Sequence, residues 1–243
     1  MTPADCFEPA SACFGAQRMN KAGAIHILTL DSALCGCVAA ILSDDQVLAR
    51  RERPVQRGQA TMLPIMVDAV FDEAALPPAE LDLIAATIGP GSFTGIRAAL
   101  ALAHGIGLAA GVPVIAVTVG EALAEALPRL GHRQLWSAID NFRGEVFLER
   151  AGRVVDVALD HLPIPDGPVA IAGNAAIEVA ARLAARNADV MLMDAKLPQP
   201  RHIAVAARRR HSGRLPPRAP QPLYVEPLAV RPPAGRLRPP PLP

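Results

Sequence analysis

With 243 residues, 51% of them hydrophobic, the chain is long enough to bury one large core or two small ones, which excludes a wholly disordered protein. Its net charge of +1 hides an asymmetry: nine Arg and a single acid, Glu226, follow residue 200, so the tail carries +8 and the body −7. Residues 1–24 contain Asp5 and Glu8 and no apolar core segment, which argues against a secretory signal and for a disordered extension, or an over-long start with Met19 as the first residue.

In chain order, residues 25–30 and 34–42 read as strands separated by Asp31-Ser-Ala, and 46–52 as a third, together a meander. Cys35-Gly-Cys37 has one intervening residue rather than two, so these thiols, with Cys6 and Cys13, read as reduced apolar side chains rather than a metal pattern. Residues 57–75 follow the i, i+3/i+4, i+7 rhythm through Met62, Ile65 or Met66 and Ala69 or Val70, which predicts a helix ended by Pro77-Pro78. Residues 83–88 form a short apolar run punctuated by Gly89-Pro-Gly91: a buried strand ending in a tight turn. Ser92 or Thr94 then caps a helix starting near Gly95.

That helix is built of Ala, Gly and Leu, with Ala98, Ala101, Gly105 and Ala109 near one stripe, so another backbone can approach it closely. The uncharged run 98–120 has the length of a membrane span, but it is mostly Ala and Gly and Gly111-Val-Pro113 breaks it into a helix and a strand at 114–119; the span is rejected. The pattern then repeats: a strand at 135–139 running into Asp140, a Gly144 turn, a strand at 146–148, and later a strand at 169–172 leading through Gly173-Asn174 into a helix at 175–186. Two related halves of this kind are the plan of a two-lobed, actin-like (ribonuclease-H-like) α/β fold. We divide the chain as lobe one at 25–120 and lobe two at 121–230. A last short helix is expected at 201–210, and a Pro/Arg-rich tail at 231–243 that cannot bury a core.

The Gly-Pro-Gly turn admits two readings. Backbone N–H groups and the hydroxyls of Ser92 and Thr94 at a helix N-terminus suit an anion; alternatively Gly89, Gly91 and Gly95 merely let strand and helix pack tightly, the reading favoured by spacing. The spacing is neither GxGxxG nor GxxxxGK[ST].

As a string, Gly89-Pro-Gly-Ser-Phe-Thr-Gly95 resembles the TsaB (YeaZ) family, the dimerisation subunit of the bacterial tRNA threonylcarbamoyladenosine complex. Leu28-Thr-Leu-Asp-Ser-Ala33, Met62-Leu-Pro64, Ala138-Ile-Asp-Asn-Phe-Arg-Gly-Glu-Val-Phe147 and Pro222-Leu-Tyr224 are similar in register. Gly58 and Glu226 depart from it, standing where the family commonly has His and Arg. The resemblance implies an actin-like (ASKHA) fold and a non-catalytic role in the cytoplasm, away from membranes. It implies pairing with a homologous catalytic subunit (TsaD), completion by an ATPase subunit (TsaE), a homodimer when alone, and contact with tRNA through the complex. ATP and Mg would be used by that assembly, with no cofactor required by this chain. The partner face falls on Met62, Leu63, Met66, Val70, Ala98, Ala101, Leu102, Gly105 and Ala109.

Catalytic groups are sparse. The six His show no HxxxH or HExxH spacing, and no GxSxG elbow exists, so neither a helical zinc site nor a protease-type nucleophile is supported. Asp31 and Asp140 sit at matched turns; in actin-like phosphotransferases such carboxylates hold Mg²⁺ and phosphates, while the plainer reading has each Asp bonding its own turn. Asp31, Gly89, Gly91, Ser92, Thr94 and Asp140 are therefore the candidate nucleotide or anion residues. No catalytic residue and no metal ligand is expected. The nine late Arg could touch the tRNA backbone or simply be a solvated end; the latter is favoured, since charge without fixed shape supplies only non-specific affinity.

Overall fold

In the computed structural model, residues 23–225 are described, apart from 35, 55–56, 128–129 and 142. The expected extension up to residue 22, Cys35, Glu226 and the tail at 231–243 lie outside the described residues.

Three antiparallel strands, β1 (His26–Asp31), β2 (Cys37–Ser43) and β3 (Gln46–Arg53), lead to helix α1 (Gln59–Ala74), β4 (Leu83–Thr87), α2 (Phe93–Ala110) and β5 (Val114–Val117). β4 runs parallel to β1 and β5 to β4, giving the order β3-β2-β1-β4-β5. A short helix, α3 (Val119–Glu125), leads to β6 (Gln134–Asp140), β7 (Glu145–Arg150), β8 (Arg153–Ala158), β9 (Val169–Ala172), α4 (Ala176–Ala184) and β10 (Val190–Leu192). The second sheet is ordered β10-β9-β6-β7-β8, the same meander-plus-parallel-pair plan. The fold is two-lobed and actin-like, as the sequence repeat implies.

β1 and β4 are buried along their whole length, and β2 nearly so, because both faces of the first sheet are covered. Strand alternation sends Leu28, Leu30, Ala39, Ile41, Ile84 and Ala86 into one cluster with α1 and α2. Their neighbours Ile27, Ala40, Leu42, Leu83 and Ala85 form the opposite cluster with Ile203, Ala204, Ala206 and Ala207. Those last four lie on α5 (Pro200–His211), which has crossed back to the first lobe after the chain completed the second. Here the structure corrects the division at residue 121: α5 and α3 belong by packing with the first sheet, where an Ala/Ile face matches an otherwise open apolar surface. The cluster under α1 and α2 reaches Ile139 and Ala172 of the second sheet, while the rest of the second lobe packs in a cluster of its own around Trp136, Leu148, Ile171 and Leu183.

β8, β10 and α3 are additional to the sequence-derived elements, and the strand expected to run to 119 stops at Val117. There Thr118 caps α3: its hydroxyl accepts from Glu121 N at 3.0 Å while the Glu121 carboxylate accepts from Thr118 N at 2.7 Å. α2 is long and apolar enough, by length and composition, to cross a membrane. Its inner face, Ile96, Ala99, Leu100, Ala103 and Gly107, is instead buried against the first lobe's core.

Candidate functional site

The β4–α2 turn is filled by its own neighbours. Ser92 N donates to Ala33 O at 2.6 Å, and the Ser92 hydroxyl caps α2 by accepting from Gly95 N at 3.2 Å. A Cβ on Gly91 would lie 2.0 Å from Ala33 O, and one on Gly95 would lie 2.0 Å from Ser32 O. The β1–β2 loop therefore packs its carbonyls directly against the glycines of the turn. Carbonyl oxygens repel anions, so the packing role fits these glycines better than the phosphate role. Thr94 is exposed and does not cap the helix, which begins two residues before Gly95.

Asp31, at the end of β1, is buried and engaged within its own lobe: Thr87 Oγ1 donates to it at 2.5 Å and Ala33 N at 3.0 Å. Burial pushes its carboxyl above the ordinary value, opposed by the Thr87 and Ala33 bonds and reinforced by the charge of Glu52. Asp140 holds the equivalent place on β6, is half-buried, and its N–H donates to Asn174 Oδ1 at 3.0 Å. An open pocket does lie beyond the carboxyl ends of β9 and β10, lined by Gly173, Asn174, Ile177, Leu192, Met193 and Lys196 among others, but it includes neither Asp31 nor the Gly89–Gly95 residues. None of the six candidate anion residues lines that pocket. Among the described residues, no three of His, Cys, Asp and Glu are grouped to hold a metal ion.

The α1–α2 face divides the nine residues named for it. Leu63, Met66 and Val70 are buried in the first lobe's core and are corrected from partner-facing to structural. Met62, Ala98 and Leu102 are half-buried, while Ala101, Gly105 and Ala109 are exposed. The exposed apolar side chains there are ones the stripe of small residues hid: Leu108 is 88% exposed, Ile65 61% and Phe93 51%. Nothing lies within 4 Å of a Cβ built on Gly105, so the middle of α2 is open.

Sequence reasoning missed a polar knot between the lobes. Glu149 on β7 is buried; its carboxylate accepts from Thr118 Oγ1 at 2.7 Å and from Gly120 N at 3.0 Å. A Cβ on Gly120 would lie 2.3 Å from Glu149 Oε2, so the contact needs glycine. Burial, with the nearby Glu121 charge, raises the Glu149 carboxyl above its ordinary value, against the lowering by its Thr118 and Gly120 bonds and by Arg218. Arg210 of α5 completes the knot, donating to Glu121 at 2.5 Å and to the carbonyl of Pro216 at 2.8 Å. Of the nine late Arg, Arg208, Arg209, Arg210 and Arg218 are ion-paired with body acids.

Comparison with known proteins agrees with the fold. The family model for TsaD, tRNA N6-adenosine threonylcarbamoyltransferase, matches residues 53–194. The tRNA threonylcarbamoyladenosine biosynthesis protein TsaB of Escherichia coli K12 is 32% identical over 124 residues, 51% of this chain and 53% of that one. The chain belongs to the TsaB (YeaZ) family. It spans about half the length of the curated TsaB relatives it matches, 55% in that of Haemophilus influenzae, at 30% identity over 53% of this chain. A crystal structure from Pseudomonas aeruginosa, described as similar to peptidase YEAZ, superposes with a TM-score of 0.67 at 24% identity, covering 83% of this TsaB-family chain and all of that one. That similarity supports the fold alone.

Proposed function

We propose that the chain acts in tRNA threonylcarbamoyladenosine biosynthesis as a non-catalytic subunit that holds a homologous catalytic subunit, of the TsaD type, in its active arrangement. The observation that carries this reading is the open face of α2, with Phe93 exposed at its start and Leu108 exposed beside the unfilled space at Gly105. The chain's likeness to both TsaB and TsaD proteins supports pairing of like with like, helix pair against helix pair. Asp31 is engaged by Ala33 N of its own turn and by Thr87 Oγ1 of β4, and the Gly-Pro-Gly glycines pack against loop carbonyls, which speaks against a phosphotransferase site here. In this reading the partner transfers the threonylcarbamoyl group to adenosine 37 of ANN-decoding tRNAs. An ATPase subunit (TsaE) completes a cytoplasmic assembly that uses ATP and Mg, and the chain alone is a homodimer.

The test is co-purification with the candidate catalytic subunit, followed by a transfer assay with and without this chain. Transfer that depends on the chain, with no ATP turnover by the chain alone, is the expected outcome. Sustained ATP hydrolysis lost in Asp31→Asn would favour the phosphotransferase instead.

A further inference from the structure

After α5 the chain does not leave the body but returns to α2. Arg210 Nε holds the carbonyl of Pro216 at 2.8 Å, His104 Nε2 lies 2.9 Å from Pro220 O, and Leu223 N donates to Ile88 O at 2.8 Å. Arg97 then donates through Nη2 and Nε to the Tyr224 hydroxyl at 2.6 and 3.1 Å. The Arg97 guanidinium lies 3.4 Å from the centre of the Phe93 ring and 5.4 Å from that of Tyr224. The two rings are 6.3 Å apart and tilted by 48°. Residues 216–225 thus form a strap running antiparallel to α2, from His104 back to Phe93.

At 100° per residue, Phe93, Arg97 and His104 fall on one flank of α2, and the half-buried Ala98, Leu102 and Ile106 fall on the flank across the exposed strip. Thr94, Ala101, Gly105 and Leu108 lie between them and are exposed. With α1 packed beside α2, the open strip has walls: a helix on one side and the strap on the other. Phe93 remains 51% and Tyr224 47% exposed even though each touches the Arg97 clamp, so the clamp orients their rings without covering them.

We infer that the strap is the third element of the partner-facing surface: Arg97 fixes Tyr224 beside Phe93 so that the homologous subunit meets α1, α2 and an aromatic rim together. This rests on the pairing read above for the α2 face. The occupant is a helix face from the homologous subunit, because the relatives that match this chain include TsaD proteins and so bring the same strand–turn–helix element. Ring area ordered in advance adds contact without a further ordering cost on binding, which is why an exposed aromatic pair held by a buttressing Arg suits a rim.

The test measures affinity of the full chain for the TsaD-type subunit by titration calorimetry for Leu108→Asp, Tyr224→Ala and Tyr224→Phe, with thermal unfolding of each variant alone. Leu108→Asp should abolish measurable pairing; if it binds as wild type, the reading of the α2 face itself fails. Given that loss, Tyr224→Ala should weaken pairing about tenfold, with an unfolding temperature close to wild type. Tyr224→Phe, which keeps the ring but loses the Arg97 acceptor, should fall between. Wild-type affinity in Tyr224→Ala, with Leu108→Asp defective, overturns the strap inference alone. Hydrogen exchange gives a second readout: partner binding should slow exchange at Leu223 and Tyr224, and unchanged exchange there overturns the inference.

Discussion

Gly105→Leu separates the isolated chain from the assembled one. Gly105 sits mid-helix with no neighbour within 4 Å of a Cβ, so a side chain there starts into open space in the lone subunit. There the substitution removes the backbone entropy cost of a helical glycine and should stabilise the chain by about 0.5–1 kcal/mol. For a domain of this size that is roughly 1–4 °C in unfolding temperature. Against a close-packed partner helix, the same side chain should overpack the seam at about 1–3 kcal/mol, roughly 5- to 150-fold in affinity. Gly107 is the internal control: its Cβ would lie 2.9 Å from Val114 Cγ2 and 3.1 Å from Val112 O, so Gly107→Leu should destabilise the lone chain itself. The assays are calorimetric unfolding of each variant at dilutions where light scattering shows a monomer, and light scattering at higher concentration with titration calorimetry against the partner. A Gly105→Leu chain that is less stable alone, or that keeps its oligomeric state and partner affinity unchanged, would refute the reasoning.

Gly95→Ala should cost about 1–3 kcal/mol or more in urea unfolding, since its methyl would lie 2.0 Å from the Ser32 carbonyl; wild-type stability would remove the close-packing account of the turn. Asp31 and Glu149 are held above their ordinary values by burial, so the folded chain keeps protons that the unfolded chain releases. Their contribution is complete below the ordinary carboxylate range and is lost as pH rises through the raised values, so Asp31→Asn with Glu149→Gln should flatten the fall in stability as pH rises above about 4. Glu149→Ala leaves Thr118 Oγ1 and Gly120 N without their partner and should lower stability by about 1–3 kcal/mol, read by chemical denaturation. Truncation after Val230 removes Arg231, Arg236 and Arg238; the salt dependence of tRNA binding by the complex should stay unchanged, and a slope shallower by two or three units would give the tail a role.

The β4–turn–α2 unit was legible because Gly and Pro punctuate an apolar run and Ser92 supplies a cap within four residues. What a helix residue faces was less legible. Leu63, Met66 and Val70 share the i, i+3, i+7 rhythm of an interface stripe, but that rhythm marks the core side of α1 equally well, and only burial distinguishes them. α3 could have been found from Thr118-Val-Gly-Glu121, a capping-box spacing hidden inside an apolar stretch that read as strand. β8 alternates weakly and is only half-buried at the sheet edge, which left little periodic signal. Glu149 carried none: its partners lie about thirty residues away, and an acid in Phe-Leu-Glu-Arg looks like any solvent-facing strand position.

The return of α5 to the first sheet has a consequence for how the chain is made. Ile27, Leu42, Leu83 and Val117 are all synthesised well before Ile203 and Ala207, the side chains that cover them. About ninety residues separate Val117 from Ala207, so translation leaves that sheet face bare for roughly 5–18 s. The first lobe therefore cannot finish folding as an independent nascent unit, although it has every strand of its sheet. A ribosome that stalls or terminates before α5 should release a chain that is sticky on one broad apolar face, and α5 acts as its built-in cover.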